Sequence, residues 1–259
     1  MLTGGIDLSV GPAMSFLVVV GSFWLTPTVG PLGLTLGVLG LIVIAVLIAF
    51  VNWVPTLYGV PALMATLVAF IGLQGLALYL RPTPGGSFDP SLIKTLSASI
   101  GWIPVAAIAA IVVAIGLEVV LRATSWGARL RAVGSNAVGA HQAGIKVSLI
   151  RLAAGGTAAL LVVAASLLLT VQVGAGDASS GTSFTLASIT AAVVGGASLL
   201  GGRGSLLGAM AGALLIQQIN ATTVFLGLDV AWQSYLLGGL TLVAAGSYSL
   251  ARKGSAHAR

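Results

Sequence analysis

Cysteine is absent from the chain, and charged residues make up only 6% of its 259 residues. Without cysteine the chain can form neither a disulfide nor a thiolate metal site, and its two histidines, His141 and His257, are far apart in the sequence. The five acidic residues are scattered as well, so no group of side chains suggests a catalytic centre, a metal site or a cofactor site. The composition therefore predicts that the chain is not itself an enzyme.

Long apolar runs accompany the low charge. Hydrophobic residues make up 58% of the chain and the mean hydropathy is +1.11, whereas soluble proteins carry about 25% charged residues. The 36 glycines fit a bilayer, where glycine lets helix backbones approach closely. We predict an all-α, polytopic membrane helical bundle that forms one transmembrane domain over residues 1–259.

The apolar runs predict about eight transmembrane segments, each close to the roughly 20 residues that cross a bilayer. They cover residues 10–26, 31–50, 60–80, 100–121, 152–172, 185–200, 205–222 and 231–250. The run at 185–200 is short and bounded by paired glycines, so it is either a full span or a re-entrant half-helix.

The basic residues follow this topology, so the net charge of +6 does not require a nucleic-acid partner. Two of the eleven, Arg81 and Lys94, fall on one predicted side, and the other nine fall on the opposite side. By the positive-inside rule the second side is cytoplasmic, and it includes the C-terminus. Its basic residues are Arg122, Arg129, Arg131, Lys146, Arg151, Arg203, Arg252, Lys253 and Arg259. Residues 122–151 form the longest loop on this side and are a candidate contact surface for a soluble partner.

The positions of the charged residues restrict which energy source the chain could use for transport. The acids lie at predicted span ends or in loops, and we interpret Glu118 as half of a solvated ion pair with Arg122 one turn later. Coupling to a proton or another ion is therefore poorly supported. None of the three lysines lies in a phosphate-binding loop, so we expect no ATPase activity in the chain itself. A passive channel and a membrane partner of a separate ATPase remain, and the basic inner loop favours the second.

Three motifs stand out in the chain. The stretch TGGIDLSVG occupies residues 3–11, where Asp7 or Ser9 can cap the following helix and Pro12 fits its first turn. The stretch GARLRAVGSN occupies residues 127–136 and continues to Ile145. The stretch VVGGASLLGGRG occupies residues 193–204, and three glycines spaced four apart follow one helix face suited to close packing, namely Gly204, Gly208 and Gly212.

These motifs resemble those of the permease subunits of ABC importers of the ribose, xylose and galactose type, in a family shared with branched-chain amino acid permeases. The resemblance covers nearly the whole chain. Family members usually carry a further hydrophobic segment before the first motif, and we expect this chain, which opens at Met1, to lack it.

The resemblance implies a role for the 122–151 loop, in which a short cytoplasmic helix docks into a groove of the ATPase and transmits its closure. Neutral Ala137 and Val138 stand where acidic residues are common in the family. The candidate coupling residues are Arg129, Arg131, Gly134, Asn136, His141 and Gly144.

Other residues are candidates either for the translocation path or for helix packing. Small and polar side chains inside predicted spans can line a hydrated path, and they can equally join two helices. These residues are Gly5, Asp7, Ser9, Gln74, Gly195, Gly196, Gln217 and Asn220.

The resemblance also implies a function and partners. The expected function is import of a simple sugar into the cytoplasm across the plasma or inner membrane. The expected partners are two ATPase subunits, a second permease chain, an extracytoplasmic binding protein and membrane lipid, with no nucleic acid and no cofactor. A permease for branched-chain amino acids, nucleosides or another small solute, and a stand-alone channel, remain alternatives.

Overall fold

The structure is a computed structural model that describes residues 1–257, without the side chains of residues 230, 244, 245 and 247–257. Over this range the chain forms eleven α-helices and one short hairpin, in the order α1 (Val10–Trp24), α2 (Gly30–Leu57), α3 (Ala62–Leu80), α4 (Pro90–Leu96), β1 (Ser99–Ile100), β2 (Ile103–Pro104), α5 (Val105–Ala123), α6 (Ser125–Ser135), α7 (Ala137–Gln142), α8 (Val147–Val173), α9 (Ser183–Val194), α10 (Leu206–Phe225) and α11 (Val230–His257). The predicted inner-side residues Arg252, Lys253 and Arg259 fall outside the described side chains.

Four helices of the described range, α2, α3, α5 and α8, are long and apolar enough to cross a membrane. Their outer faces carry large exposed apolar side chains such as Leu36, Val68 and Val112. Such faces are unfavourable in water and are accommodated by lipid or by another chain. An all-α, multi-pass membrane protein is therefore confirmed, whereas the number of about eight spans stays a prediction.

Helix α1 lies at the centre of the molecule. Eleven of its 15 residues are buried, and it contacts α2, α3, α8 and α9. Leu17 and Val18 pack with Leu41 of α2 and Val163 of α8 in the main core. Helix α1 is therefore enclosed by other helices over most of its surface.

Helix α2 continues past residue 50, where the predicted span ends. It ends at Leu57, with Pro55 inside its last turn. Asn52 and Trp53 are both buried, and the Asn52 amide donates a hydrogen bond to Ser9. These contacts favour a continued helix, and they offset the hydrogen bond that Pro55 cannot donate.

The predicted span at 100–121 begins five residues too early. Residues 99–104 form a small antiparallel hairpin that pairs Ser99 with Pro104 and Ile100 with Ile103, and α5 starts only at Val105. The predicted loop before it contains a further short helix, α4, whose first amides donate to the Asp89 carboxylate. Side-chain capping therefore orders this connection.

Helix α9 has the length and position of a half-helix. It spans 12 residues, and the preceding segment 174–182 runs beside α1. Gly176 packs on Ser22 near one end of α1, and the Gly181 amide donates a 2.8 Å hydrogen bond to the Ser15 hydroxyl nearer the other end. The 174–182 segment therefore replaces helix over part of the bundle, as in membrane proteins with interrupted helices.

Candidate functional site

The three sequence motifs meet at one end of the bundle. We define the motif junction as residues 2–5, 134–135 and 200–202. The Gly202 amide donates a 2.9 Å hydrogen bond to the Leu2 carbonyl oxygen. The end of α6, the segment before α1 and the loop after α9 are therefore in direct backbone contact.

Close glycine packing holds the motif junction together. A Cβ added at Gly134 would overlap the Leu2 carbonyl oxygen and would lie 2.6 Å from the Gly202 nitrogen. One added at Gly201, where φ is +89°, would lie 2.5 Å from the Gly4 backbone. No side chain fits between these segments, so α6 cannot move toward the other two without displacing them.

Glu118 fixes the helix that follows the third motif. Its carboxylate accepts a 2.5 Å hydrogen bond from Arg122 and a 2.6 Å hydrogen bond from the backbone amide of Leu206, the first residue of α10. Arg122 is exposed, but Glu118 is only 3% exposed. The predicted pairing is confirmed, but its interpretation as a solvated ion pair is wrong, because this carboxylate caps α10 at a buried position.

The candidate coupling residues lie on two short helices. Arg129 and Arg131 lie on α6, and Gly134 lies at its junction end. Asn136 caps α7 by accepting a 2.9 Å hydrogen bond from Gly139. His141 is exposed at the end of α7, and Gly144 adopts a positive φ of +81° in the turn before α8. Exposed Val138 on α7 was not among the candidate coupling residues, although Asn136 before it and His141 after it were.

Asp7, Ser9 and Asn52 form a polar cluster at the start of α1, in which Ser9 and Asn52 are buried and Asp7 is half-buried. The Asp7 carboxylate accepts hydrogen bonds from the Ser9 amide at 2.9 Å and from the Ser9 hydroxyl at 2.6 Å. The Asn52 amide nitrogen donates to the same hydroxyl at 2.6 Å. The expectation that Asp7 or Ser9 caps α1 is not met, because Ser9 occupies the N-cap position without a side-chain capping bond.

This cluster lies inside the bundle and not at its end. Asn52 is five residues before the end of α2 at Leu57, about 7 to 8 Å along the helix axis. Gly155 borders the same cluster and is eight residues beyond the start of α8 at Val147, about 12 Å along that axis. Helix α1 therefore begins well inside the layer that α2 and α8 cross.

The starts of α1 and α9 contact each other. Thr185, in the first turn of α9, packs directly on Gly11, and the Gly181 carbonyl oxygen also contacts Gly11. Thr185 is 3% exposed, and its hydroxyl has no hydrogen-bond partner among the described residues. Two half-helix starts and several polar groups are thus gathered within the apolar bundle.

The opposite end of the bundle is closed by the segments around 85 and 176. Gly85 and Gly176 exchange two backbone hydrogen bonds of 3.0 and 2.8 Å. Arg81 donates a 2.8 Å hydrogen bond to the Ser22 hydroxyl and stacks over Phe23 at 4.2 Å. Arg81 therefore ties the end of α3 to the end of α1.

The glycines of the third motif have different surroundings. Gly208 and Gly212 lie on the face of α10 that contacts α9, where added Cβ atoms would overlap the carbonyl oxygens of Gly195 and Ala191. Gly204 precedes α10, so it does not share this helix face, contrary to the prediction. Gly196 lies in the turn after α9.

The remaining candidates lie mainly on packing surfaces. Gly5 packs on the Trp53 ring, and Gln74 donates a 3.0 Å hydrogen bond to the Ala178 carbonyl oxygen. Gln217 is exposed on α10, whereas Asn220 is half-buried, with no partner for its carbonyl oxygen in the described part of the chain. The structure thus brings Asp7 and Ser9 together and keeps Gln74, Gln217 and Asn220 elsewhere.

A multi-pass membrane protein with two short helices, α1 and α9, that begin inside the bundle and contact a polar loop has the features of a transport protein. The chain belongs to the family described as branched-chain amino acid transport system, permease component, whose model matches residues 1–245. This confirms the family predicted from the three motifs. Its members are permease subunits, which are transporters and not enzymes.

Individual relatives support the same assignment. The chain is 31% identical over 245 residues to the probable ABC transporter permease protein YphD of Escherichia coli strain K12, covering 94% of this chain and 73% of that protein. It is 31% identical over 253 residues to the autoinducer 2 import system permease protein LsrC of Salmonella choleraesuis, covering 92% and 68%. It is 32% identical over 249 residues to LsrC of Yersinia enterocolitica, covering 92% and 66%. No solved structure matches the chain.

Proposed function

We propose that the chain is the membrane-spanning permease subunit of an ABC importer that moves a simple sugar into the cytoplasm, with energy from a separate ATPase. The motif junction carries this proposal. It places the end of α6 directly against the segment that leads into α1 and the loop that follows α9. A force applied to the 122–151 loop would therefore reach α1 and α9 through the backbone segments next to them.

The distribution of arginines supports the orientation of the chain in the membrane. Arg129 and Arg131 lie on α6, beside the motif junction, and Arg203 directly follows it, whereas Arg81 lies at the opposite end of α1. By the positive-inside rule the junction end faces the cytoplasm. We propose about eight spans in the plasma or inner membrane and a cytoplasmic C-terminus.

Helix α7 supports a docking role. It is a six-residue helix, capped by Asn136, that presents the 70% exposed side chain of Val138 beside exposed His141. A short, capped helix of small and neutral residues can fit closely into a groove on another protein. We propose ATPase subunits as the partners at this surface, together with a second permease chain and an extracytoplasmic binding protein.

The wording of the first motif, which resembles the sugar branch of the family, supports a sugar as the substrate. Autoinducer 2, the substrate named for the LsrC relatives, is a second candidate because these proteins are about as similar to the chain as YphD is. Branched-chain amino acids and nucleosides are alternative substrates, and ungated flux through a stand-alone channel is an alternative mechanism.

The experiment is to tag the chain at its C-terminus in its native host, purify it in mild detergent and identify the proteins that copurify. The complex is then placed in liposomes and assayed for ATP-dependent uptake of labelled ribose, xylose, galactose, autoinducer 2 and leucine. We expect a copurified ATPase and uptake of one sugar only when ATP is present. Flux without any ATPase would contradict the importer function, and leucine uptake would contradict the substrate.

Val138→Lys provides a sharper test of docking. A cation at this exposed position, where relatives commonly carry an acid, should reduce recovery of the ATPase about tenfold, because burying an unpaired charge at an interface is costly. Ser125→Lys is the matched control, since Ser125 is also exposed on this loop but begins α6. Equal ATPase recovery from the two variants would remove α7 from the docking surface.

A further inference from the structure

The Asp7 turn is one of three turns with the same local structure. In each, the carboxylate of an aspartate accepts hydrogen bonds from both the amide and the hydroxyl of the serine two residues later. The three aspartates are Asp7, Asp89 and Asp177. Within the described residues the Ser9 hydroxyl receives a further hydrogen bond, from Asn52, which the corresponding serines of the other two turns do not.

Asn52 leaves an acceptor without a partner. Its side chain is 2% exposed, and its carbonyl oxygen has no hydrogen-bond partner among the described residues. An unpaired buried carbonyl carries a substantial desolvation penalty. The hydrogen bonds found for the Asp7 side chain all reach one carboxylate oxygen, so the second oxygen also retains capacity to accept.

A small cavity lies beside these groups. Its volume is about 20 Å³, and its lining includes Asp7, Ser9 and Asn52 together with apolar residues such as Ala45 and Ala159. This volume is sufficient for one water molecule, which needs at least about 10 to 15 Å³ and two or more polar partners. The cavity can therefore hold one hydroxyl-sized group.

The polar groups around the cavity favour a bound group that donates a hydrogen bond. The Ser9 hydroxyl and the Asn52 amide nitrogen already donate within the cluster, whereas the Asp7 carboxylate and the Asn52 carbonyl can only accept. No lysine or arginine lines the cavity. A neutral group with an O–H bond is accommodated, while a carboxylate or a phosphate meets two acceptors and a negative charge.

We propose that Asp7 and Asn52 accept a hydrogen bond from a hydroxyl group, supplied by a water molecule in this conformation and by a hydroxyl of the sugar during transport. The proposal rests on the function proposed above and makes the pair a specificity-determining contact for neutral polyols. The position at the start of α1, where the bundle is interrupted, places this contact on the segment that the motif junction can move.

The test uses the complete complex in liposomes with saturating binding protein, and it measures sugar molecules imported per ATP hydrolysed. This ratio reports on the membrane path and not on the binding protein, which dominates the apparent affinity of the complex for the sugar. The variants are Asp7→Asn and Asn52→Leu. Asp177→Asn is the matched control, because it changes an aspartate in the same type of turn that receives no hydrogen bond from Asn52.

We expect Asp7→Asn and Asn52→Leu to lower the ratio about tenfold for the sugar that the wild-type complex imports, as befits loss of a charge-assisted or buried hydrogen bond. Asp177→Asn should retain the wild-type ratio. The loss should be smallest for one monodeoxy analogue of that sugar, the analogue that lacks the contacting hydroxyl.

Two results would overturn the proposal. One is an unchanged ratio in Asp7→Asn, and the other is an equal loss for the parent sugar and all its monodeoxy analogues, which would indicate a structural role. Should Asn52→Leu fail to fold, Asp7→Asn with the analogue series decides alone. Failure of the wild-type complex to import any sugar would instead refute the proposed function.

Discussion

Gly134→Ala tests whether the motif junction transmits movement. Gly134 lies inside α6 with an ordinary helical backbone, so alanine is compatible with its conformation and favours the helix by up to about 1 kcal/mol. Against this gain, the added methyl group would overlap the Leu2 carbonyl oxygen and would lie 2.6 Å from the Gly202 nitrogen. Both obstacles are backbone atoms, which cannot rotate away as a side chain can.

The steric term should exceed the helix term. Overpacking typically costs about 1 to 3 kcal/mol, so the free energy of unfolding should fall by roughly 0 to 2 kcal/mol. The melting temperature in detergent should then fall by a few degrees, at about 2 to 4 °C per kcal/mol for a chain of this size. ATP-driven uptake should fall much further than stability, because the variant separates α6 from the segments before α1 and after α9.

Gly156→Ala is the matched control for this prediction. Gly156 is also inside a helix, α8, but an added Cβ there meets no atom within 4 Å. We expect unchanged or slightly higher stability and normal uptake. If Gly134→Ala behaves like Gly156→Ala in both assays, the motif junction is not a rigid contact and our account of coupling is wrong.

Two further predictions concern the carboxylates. Glu118→Leu should lower the free energy of unfolding by about 1 to 3 kcal/mol, because it leaves the Leu206 amide without its acceptor. Arg122→Ala should cost less, because the buried Glu118 carboxylate keeps its hydrogen bond from that amide. Equal losses in thermal unfolding would show that the ion pair matters as much as the cap. The Ser91 hydroxyl, opposed by burial and aided by two backbone amides, holds the pKa of Asp89 below its ordinary value. The stabilisation that the ionised Asp89 carboxylate gains from these hydrogen bonds is therefore fully present above the unfolded pKa of about 3.9. It is lost as the pH falls through the lower folded pKa. Asp89→Asn should remove that part of the acid dependence of the melting temperature, and an unchanged acid limb would contradict the assignment.

The sequence supports the fold class and the family well, because both depend on local features. Apolar runs and glycine-rich motifs can be identified without knowing any contact. The start of the span at 100–121 was misplaced because residues 99–104 are largely apolar. They continue the apolar run, but they form a two-stranded hairpin before α5 begins. The end of α2 was missed because its stability depends on Asn52 and Ser9, which are far apart in the sequence.

The site was harder to predict because its decisive contacts are long-range. The three D-x-S turns cannot be ranked from the sequence, since only the tertiary structure brings Asn52 to the first of them. Glu118 resembled an ordinary helix-surface pair with Arg122 because its second partner is a backbone amide 88 residues away. The glycine spacing from 204 to 212 predicted a helix face correctly at two positions and failed at Gly204, where the chain has not yet entered α10.

The segment from Leu2 to Ser9 connects the motif junction with the Asp7 cluster over a few residues. Leu2 and Gly4 contact the loop after α9 and the end of α6, and Ser9 receives the hydrogen bond from Asn52. If movement of α6 reaches the hydroxyl site through this short segment, the two sites are energetically coupled, and their variants should not be additive. Gly134→Ala and Asp7→Asn combined should then lower the number of sugars imported per ATP by clearly less than the product of the single effects. Additive effects, with each single variant active enough to measure, would show that the two sites act independently and that coupling reaches the path by another route.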